Sequence, residues 1–230
     1  MHTDNSFQRL TGILAIVAGI FALLSLVIGL AGVNYDFEVF SDTSSLIASG
    51  TAAAVFIRWS YWLNMFGNYL LLIPLALLLH QWLKNVQASY ALLFTASGLL
   101  YLALGATGSA ILATAWSFLI EQYATATAAN QPFLVIQFQV VNAIAEAGLH
   151  GVIQNFAGAV WFLGIGSLLR TKQTGLGIGA MVVGLFLTLN TLGNMFNIEA
   201  LSLLGLTATI LLAPLWSIWI GIVLMQLKAK

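Results

Sequence analysis

Glu146, His150 and Gln154 follow one another at intervals of four residues, which sets a carboxylate, an imidazole and an amide on one face of a helix. Asn64 and Asn68 repeat that interval, and Asn190, Asn194 and Asn197 make a third stripe at i, i+4 and i+7. A carboxylate one turn from an imidazole orients the ring and partners its charge, while amides offer both donors and acceptors. Arg58 precedes the asparagine pair and is placed to pair with Glu146, to meet an anionic ligand, or to snorkel toward water. Arg58, Asn64, Asn68, Glu146, His150, Gln154, Asn190 and Asn194 are therefore the expected ligand-binding set.

Sharper chemistries find little support. Glu146 and His150 offer two metal ligands, but a third would have to be an amide, which zinc does not favour. Two axial histidines for a haem fail, because His80 and His150 fall near opposite ends of their helices. Ser109 in ATGSA could face His150, yet the usual GxSG setting of an intramembrane serine nucleophile is missing. No cysteine is present, so thiolate chemistry is out. No catalytic set, metal or cofactor follows from these residues.

The elements that must position them are membrane helices. Only 6% of the 230 residues are charged and 60% are hydrophobic, too few charges to cover a water-facing surface. Formal net charge is zero, and no basic patch exists to neutralise nucleic-acid phosphates. A span needs about 20 apolar residues. Six segments qualify, at residues 10–33, 59–83, 90–116, 146–169, 175–196 and 201–227, so the expected fold is all-α, a single polytopic bundle. The first segment is too long for a signal-peptide core and reads as a retained helix.

Charge sets the direction. Arg9, Lys84, Arg170, Lys172, Lys228 and Lys230 fall on one side of a six-span chain, and Asp36, Glu38, Asp42, Glu121, Glu146 and Glu199 on the other. Only Arg58 and Asp4 depart from this. The positive-inside rule then predicts a cell-membrane protein with both termini cytoplasmic. The three polar stripes all fall in the outer half of the membrane.

Two longer connections, residues 34–58 and 117–145, are expected to carry one or two interfacial helices on the outer surface. One starts near Thr43. The other follows Pro132, with apolar Phe133, Ile136, Val140, Val141 and Ile144 at helical spacing. The alternative joins 133–147 to the fourth span, giving a helix of about 57 Å that would need to bend at Gly148 or Gly151. Pro74 and Pro214 should kink the second and sixth spans. LNMFGN (63–68) and LNTLGN (189–194) share a pattern in which a glycine lets another backbone approach beside the amides.

At HGVIQNFAGAVWFLGIGSLLRTKQTGLGIGAMVVGLF (150–186), and again at LTGILAIVAGIFALL in the first span, the chain resembles a broad group of bacterial six-span proteins known as a domain of unknown function. That group often has proline in the hinge where this chain has TKQT. The resemblance implies six helices in a bacterial inner membrane and no particular activity. Three functional readings follow: binding of a small amphiphilic or lipid-like ligand in the outer half, with or without transport; an accessory or structural subunit with protein partners in the membrane; and an enzyme using His150 and Glu146. Membrane lipids are the expected surroundings in all three.

Overall fold

The computed structural model describes residues 5–36, 38–39 and 42–227. Within them the regular elements are helical: α1 (Asn5–Gly32), a short α2 (Thr43–Ile47), α3 (Thr51–Leu83), α4 (Ala88–Thr125), α5 (Gln131–Leu169), α6 (Thr174–Phe196) and α7 (Glu199–Gln226). All but α2 are long and apolar enough to cross a membrane, and the chain is a multi-pass integral membrane protein.

These six form a ring in chain order. Each packs on the next, and α7 closes against α1. The closure is tight because Gly12 and Gly221 meet backbone to backbone: a Cβ at Gly12 would stand 2.9 Å from the Gly221 carbonyl oxygen. Side chains tie the ends. Gln8 Nε2 donates to the carbonyls of Leu224 (2.9 Å) and Leu227 (3.2 Å), and Lys172 Nζ donates to that of Trp82 (2.8 Å). Both sets satisfy last-turn carbonyls that a helix leaves open. They also gather Arg9, Lys84, Arg170 and Lys172 at one end of the ring, the basic end. Asp36, Asp42, Glu121 and Glu199 lie at the other; Asp4, Lys228 and Lys230 lie outside the described residues.

The acidic end is built up further than the sequence suggests. At 1.5 Å per residue α4 and α5 are each roughly 57 Å long, well beyond about 30 Å of hydrocarbon. Since α4 starts at the basic hinge, its excess projects from the acidic end. There Leu119 and Ile120 of α4, Phe138 of α5, Leu46 and Ile47 of α2 and Ile57 of α3 bury one another in a second core. Trp116 stacks on Phe138 with centroids 5.2 Å apart. This core corrects one expectation. Residues 133–147 do not form a separate interfacial helix but open α5, with Pro132 in its first turn, because Phe138 points into the core. Phe133, Ile136, Val140 and Ile144 form the outward, exposed face. The first connection does carry a separate helix, α2, capped by Asp42, which accepts from the Ser45 amide at 2.8 Å. Hydrogen bonds from Ser45 hold this exposed carboxyl below its usual range, so the cap is intact above that range and lost as pH falls below it, through the lowered value.

The one cation at the acidic end among the described residues is neutralised locally. Arg58 donates to Glu121 Oε1 at 2.9 Å and to Ser117 Oγ at 3.1 Å, not to Glu146. With the two side chains 40% and 37% exposed, water screens the pair. Glu121→Gln should therefore cost only about 0.5 kcal/mol in a thermal or denaturant melt. Pro214 lies inside an unbroken α7, whereas Pro74 follows directly on a broken stretch of α3.

Candidate functional site

Two of the six spans depart from α geometry, and both do so where the polar residues sit. In α3 a π turn covers Met65–Tyr69 and runs into a 3-10 turn, Leu70–Leu72, ahead of Pro74. In α5 the π stretch covers Asn142–Gln154. Each π amide reaches back five residues, as the Leu70 N–H does to the Met65 carbonyl and the Asn155 N–H to that of His150. Such turns are rare and recur at functional sites. Proline supplies a cause in α3, since it has no N–H to continue the regular ladder. In α5 the segment is rich in alanine and carries Gly148 and Gly151, so little side-chain bulk resists the widening. Thus Gly148 and Gly151 are accommodated in a widened helix.

The wide turns bring five of the expected residues to one cavity of about 180 Å³ in the middle of the ring: Asn64 and Asn68 from α3 and Glu146, His150 and Gln154 from α5. The remaining wall comes from α1 (Ala22, Ser25, Leu26), α4 (Tyr101) and α7 (Leu206, Thr209, Ile210, Ala213). His150 turns the Nε2–Cδ2 edge of its ring to Gly108 of α4, where a Cβ would collide with it. Its Nδ1 is 3.8 Å from Glu146 Oε2, close enough for charge attraction and too long for a hydrogen bond. Gln154 Nε2 donates to the Tyr69 hydroxyl at 3.1 Å. Asn68 Nδ2 donates to Asn64 Oδ1 (2.6 Å), and Asn64 Nδ2 to Ser109 Oγ (2.9 Å), so Ser109 is engaged by Asn64 and not by His150.

Several buried polar atoms around this cavity have no hydrogen-bond partner among the described residues. They are Glu146 Oε2, His150 Nε2, Gln154 Oε1 and Thr209 Oγ1. Gln154 is only 3% exposed. An orphaned buried polar atom costs about 1–3 kcal/mol, so each calls for an explanation.

Asn190 and Asn194 are differently placed. Asn190 Oδ1 accepts from Asn155 Nδ2 and from Asn194 Nδ2, while Asn190 Nδ2 donates to the Ser202 carbonyl at 2.7 Å. Ser202 Oγ returns a bond to Asn194 Oδ1 at 3.0 Å, and Asn194 Nδ2 reaches the Gly151 carbonyl of the wide turn at 3.2 Å. This knot joins α5, α6 and α7. It also borders a second cavity of about 210 Å³, which shares Glu146, His150 and Leu206 with the first. A third space of about 400 Å³, between Asn194, Asn197, Glu199 and Ser202, continues to the acidic end. Leu206 borders all three. Toward the basic end the ring is filled by Leu72, Leu75, Trp161, Phe162 and Trp216, so the central cavity is blind there. Arg58 is not in its wall, and Asn197 is a left-handed helix cap (φ 55°) outside the knot.

Tyr69, Tyr101, Thr209 and Ser202 join the site without any sequence signal, being ordinary residues of apolar spans. Asn155 had one, since it extends the α5 polar run by a single position. Among the described residues no three of His, Cys, Asp and Glu come together. No family model, curated protein or solved structure matches the chain.

Proposed function

We propose that this membrane protein binds a small amphiphilic molecule in the central cavity, its polar group lying between Glu146, Gln154 and Thr209. The observation that carries the reading is that three residues lining one cavity of about 180 Å³, Glu146, Gln154 and Thr209 from two helices, each hold a buried side-chain oxygen without a hydrogen-bond partner among the described residues. A ring held together only by packing has no use for them, because apolar side chains of the same size avoid the desolvation cost. A ligand with hydrogen-bond donors removes it. The cavity wall is otherwise apolar, as small-molecule sites are.

The positive-inside rule places the basic end in the cytoplasm, so the cavity opens toward the outer leaflet and its ligand arrives from that side. The resemblance to bacterial six-span proteins puts that leaflet in an inner membrane. With the cytoplasmic half filled by Trp161, Phe162 and Trp216, the reading is binding and not passage.

Two variants test it. Thr209→Val keeps the shape and deletes an unpartnered hydroxyl; it is expected to stabilise the ligand-free protein by about 1 kcal/mol and to lower the share of protein carrying a bound molecule in native mass spectrometry from mild detergent. Gln154→Leu is expected to lower that share further. If wild type and both variants carry the same adducts in the same amounts, the cavity is not a ligand site.

A further inference from the structure

Resting on that reading, we infer that the ligand is an organic cation, a protonated amine carried on an apolar or aromatic group. Charge is the first argument. Among the described residues Glu146 is the one carboxylate in the cavity wall, and no lysine or arginine accompanies it. The nearest arginine in sequence to the wall residues of α3, Arg58, is bound to Glu121 and Ser117. An anionic ligand would meet a carboxylate there, whereas an ammonium would partner it.

The hydrogen-bond inventory points the same way. Glu146 Oε2, 3.8 Å from His150 Nδ1, and Gln154 Oε1 are buried acceptors that no hydrogen-bond donor reaches among the described residues. The complementary group is one that donates in several directions and accepts nothing, which is the description of an ammonium. The tyrosines supply the third argument. Tyr61, Tyr69 and Tyr101 all border the cavity, and Tyr69 meets Tyr101 edge to face at 5.6 Å. Aromatic faces attract cations, more strongly where water is excluded. Size sets the scale of the apolar part: a cavity of about 150 Å³ holds benzene, and this one is about 180 Å³.

Three probes that share a ring and differ in charge separate the possibilities: benzylamine, benzyl alcohol and benzoate, titrated by thermal shift into purified protein in phosphatidylglycerol nanodiscs, which contain no amine. Benzylamine is expected to raise the melting temperature saturably, with Kd weakened about 10- to 100-fold by Glu146→Gln, and benzoate to have no effect. Repeating the titration in phosphatidylethanolamine nanodiscs tells the source. Weaker benzylamine binding there assigns the site to a lipid amine, and unchanged binding to a free one. Benzyl alcohol or benzoate binding as tightly as benzylamine, or benzylamine binding untouched by Glu146→Gln, overturns the cationic assignment while leaving the cavity a binding site. No stabilisation by any probe, together with no bound molecule in native mass spectra, overturns both.

Discussion

Gly67→Val is expected to abolish most of the folded, monodisperse protein. A Cβ at Gly67 would lie 2.5 Å from the Ala22 amide nitrogen, 2.9 Å from the Ala18 carbonyl oxygen and 2.9 Å from the Phe21 carbonyl carbon. All three are backbone atoms of α1, which no rotamer change can move. Nor can α1 retreat, because Gly12 holds it backbone to backbone on α7 at Gly221. Overpacking that a side chain can absorb costs about 1–3 kcal/mol. Here helices must separate, and the loss should be at least about 3 kcal/mol by the same scale. The control is Gly175→Ala, whose added Cβ would meet only the half-exposed Trp219 ring, at 3.2 Å. A thermal melt followed by size exclusion should find that control close to wild type. Equal behaviour of the two variants would contradict the close α1–α3 packing.

Asn190→Leu is expected to be the most damaging change among the polar stripes. Asn190 is 2% exposed and sits at the centre of the knot. Removing it strands the Asn155 side-chain donor and takes a bond from the Ser202 carbonyl, while Asn194 Nδ2 keeps the carbonyls of Gly151 and Asn190. Individual polar contacts between membrane helices are worth about 0.6–1.7 kcal/mol, so losing the two that reach Asn155 and Ser202 costs about 1–3 kcal/mol. Asn64→Leu, which breaks the partly buried bonds to Ser109 and Asn68, should cost less. The reverse order, read from melts in one detergent, would show that the α5–α6–α7 knot is not what holds that side of the ring.

Much of this was legible in the residues. Six spans follow from length and hydropathy, and the segregation of Arg9, Lys84, Arg170 and Lys172 from Asp36, Asp42, Glu121 and Glu199 needs no coordinates. The shared pattern of LNMFGN and LNTLGN also meant what glycine beside amides suggests: Gly67 touches the backbone of α1, and Gly193 that of α7 at Ser202. What could not be read depends on helix register. Whether residues 142–154 widen into π turns is decided by packing against α4 and α6, and the sequence NAIAEAGLHGVIQ permits either geometry. In the sequence Arg58 is a candidate partner of Glu146 because both stand on the acidic side, while Glu121 falls in the 117–145 connection. Glu121 becomes the partner only once α4 is seen to run on to Thr125, carried there by the second core. Thr209 and Tyr69 matter through what stands opposite them across the ring, which no local pattern encodes. The α3 and α5 stripes border the central cavity, while Asn190 and Asn194 of the α6 stripe tie three helices together and border the second cavity.

The central claim, that the cavity between α5 and α7 holds a molecule, is tested most directly by an experimental density map of the protein extracted in native lipid. The account predicts continuous non-protein density in contact with Gln154 Oε1 and Thr209 Oγ1, with a donor group facing Glu146. A map in which Leu206 and Gln154 close over the space, or in which it holds only isolated waters bridging these three residues, would contradict it.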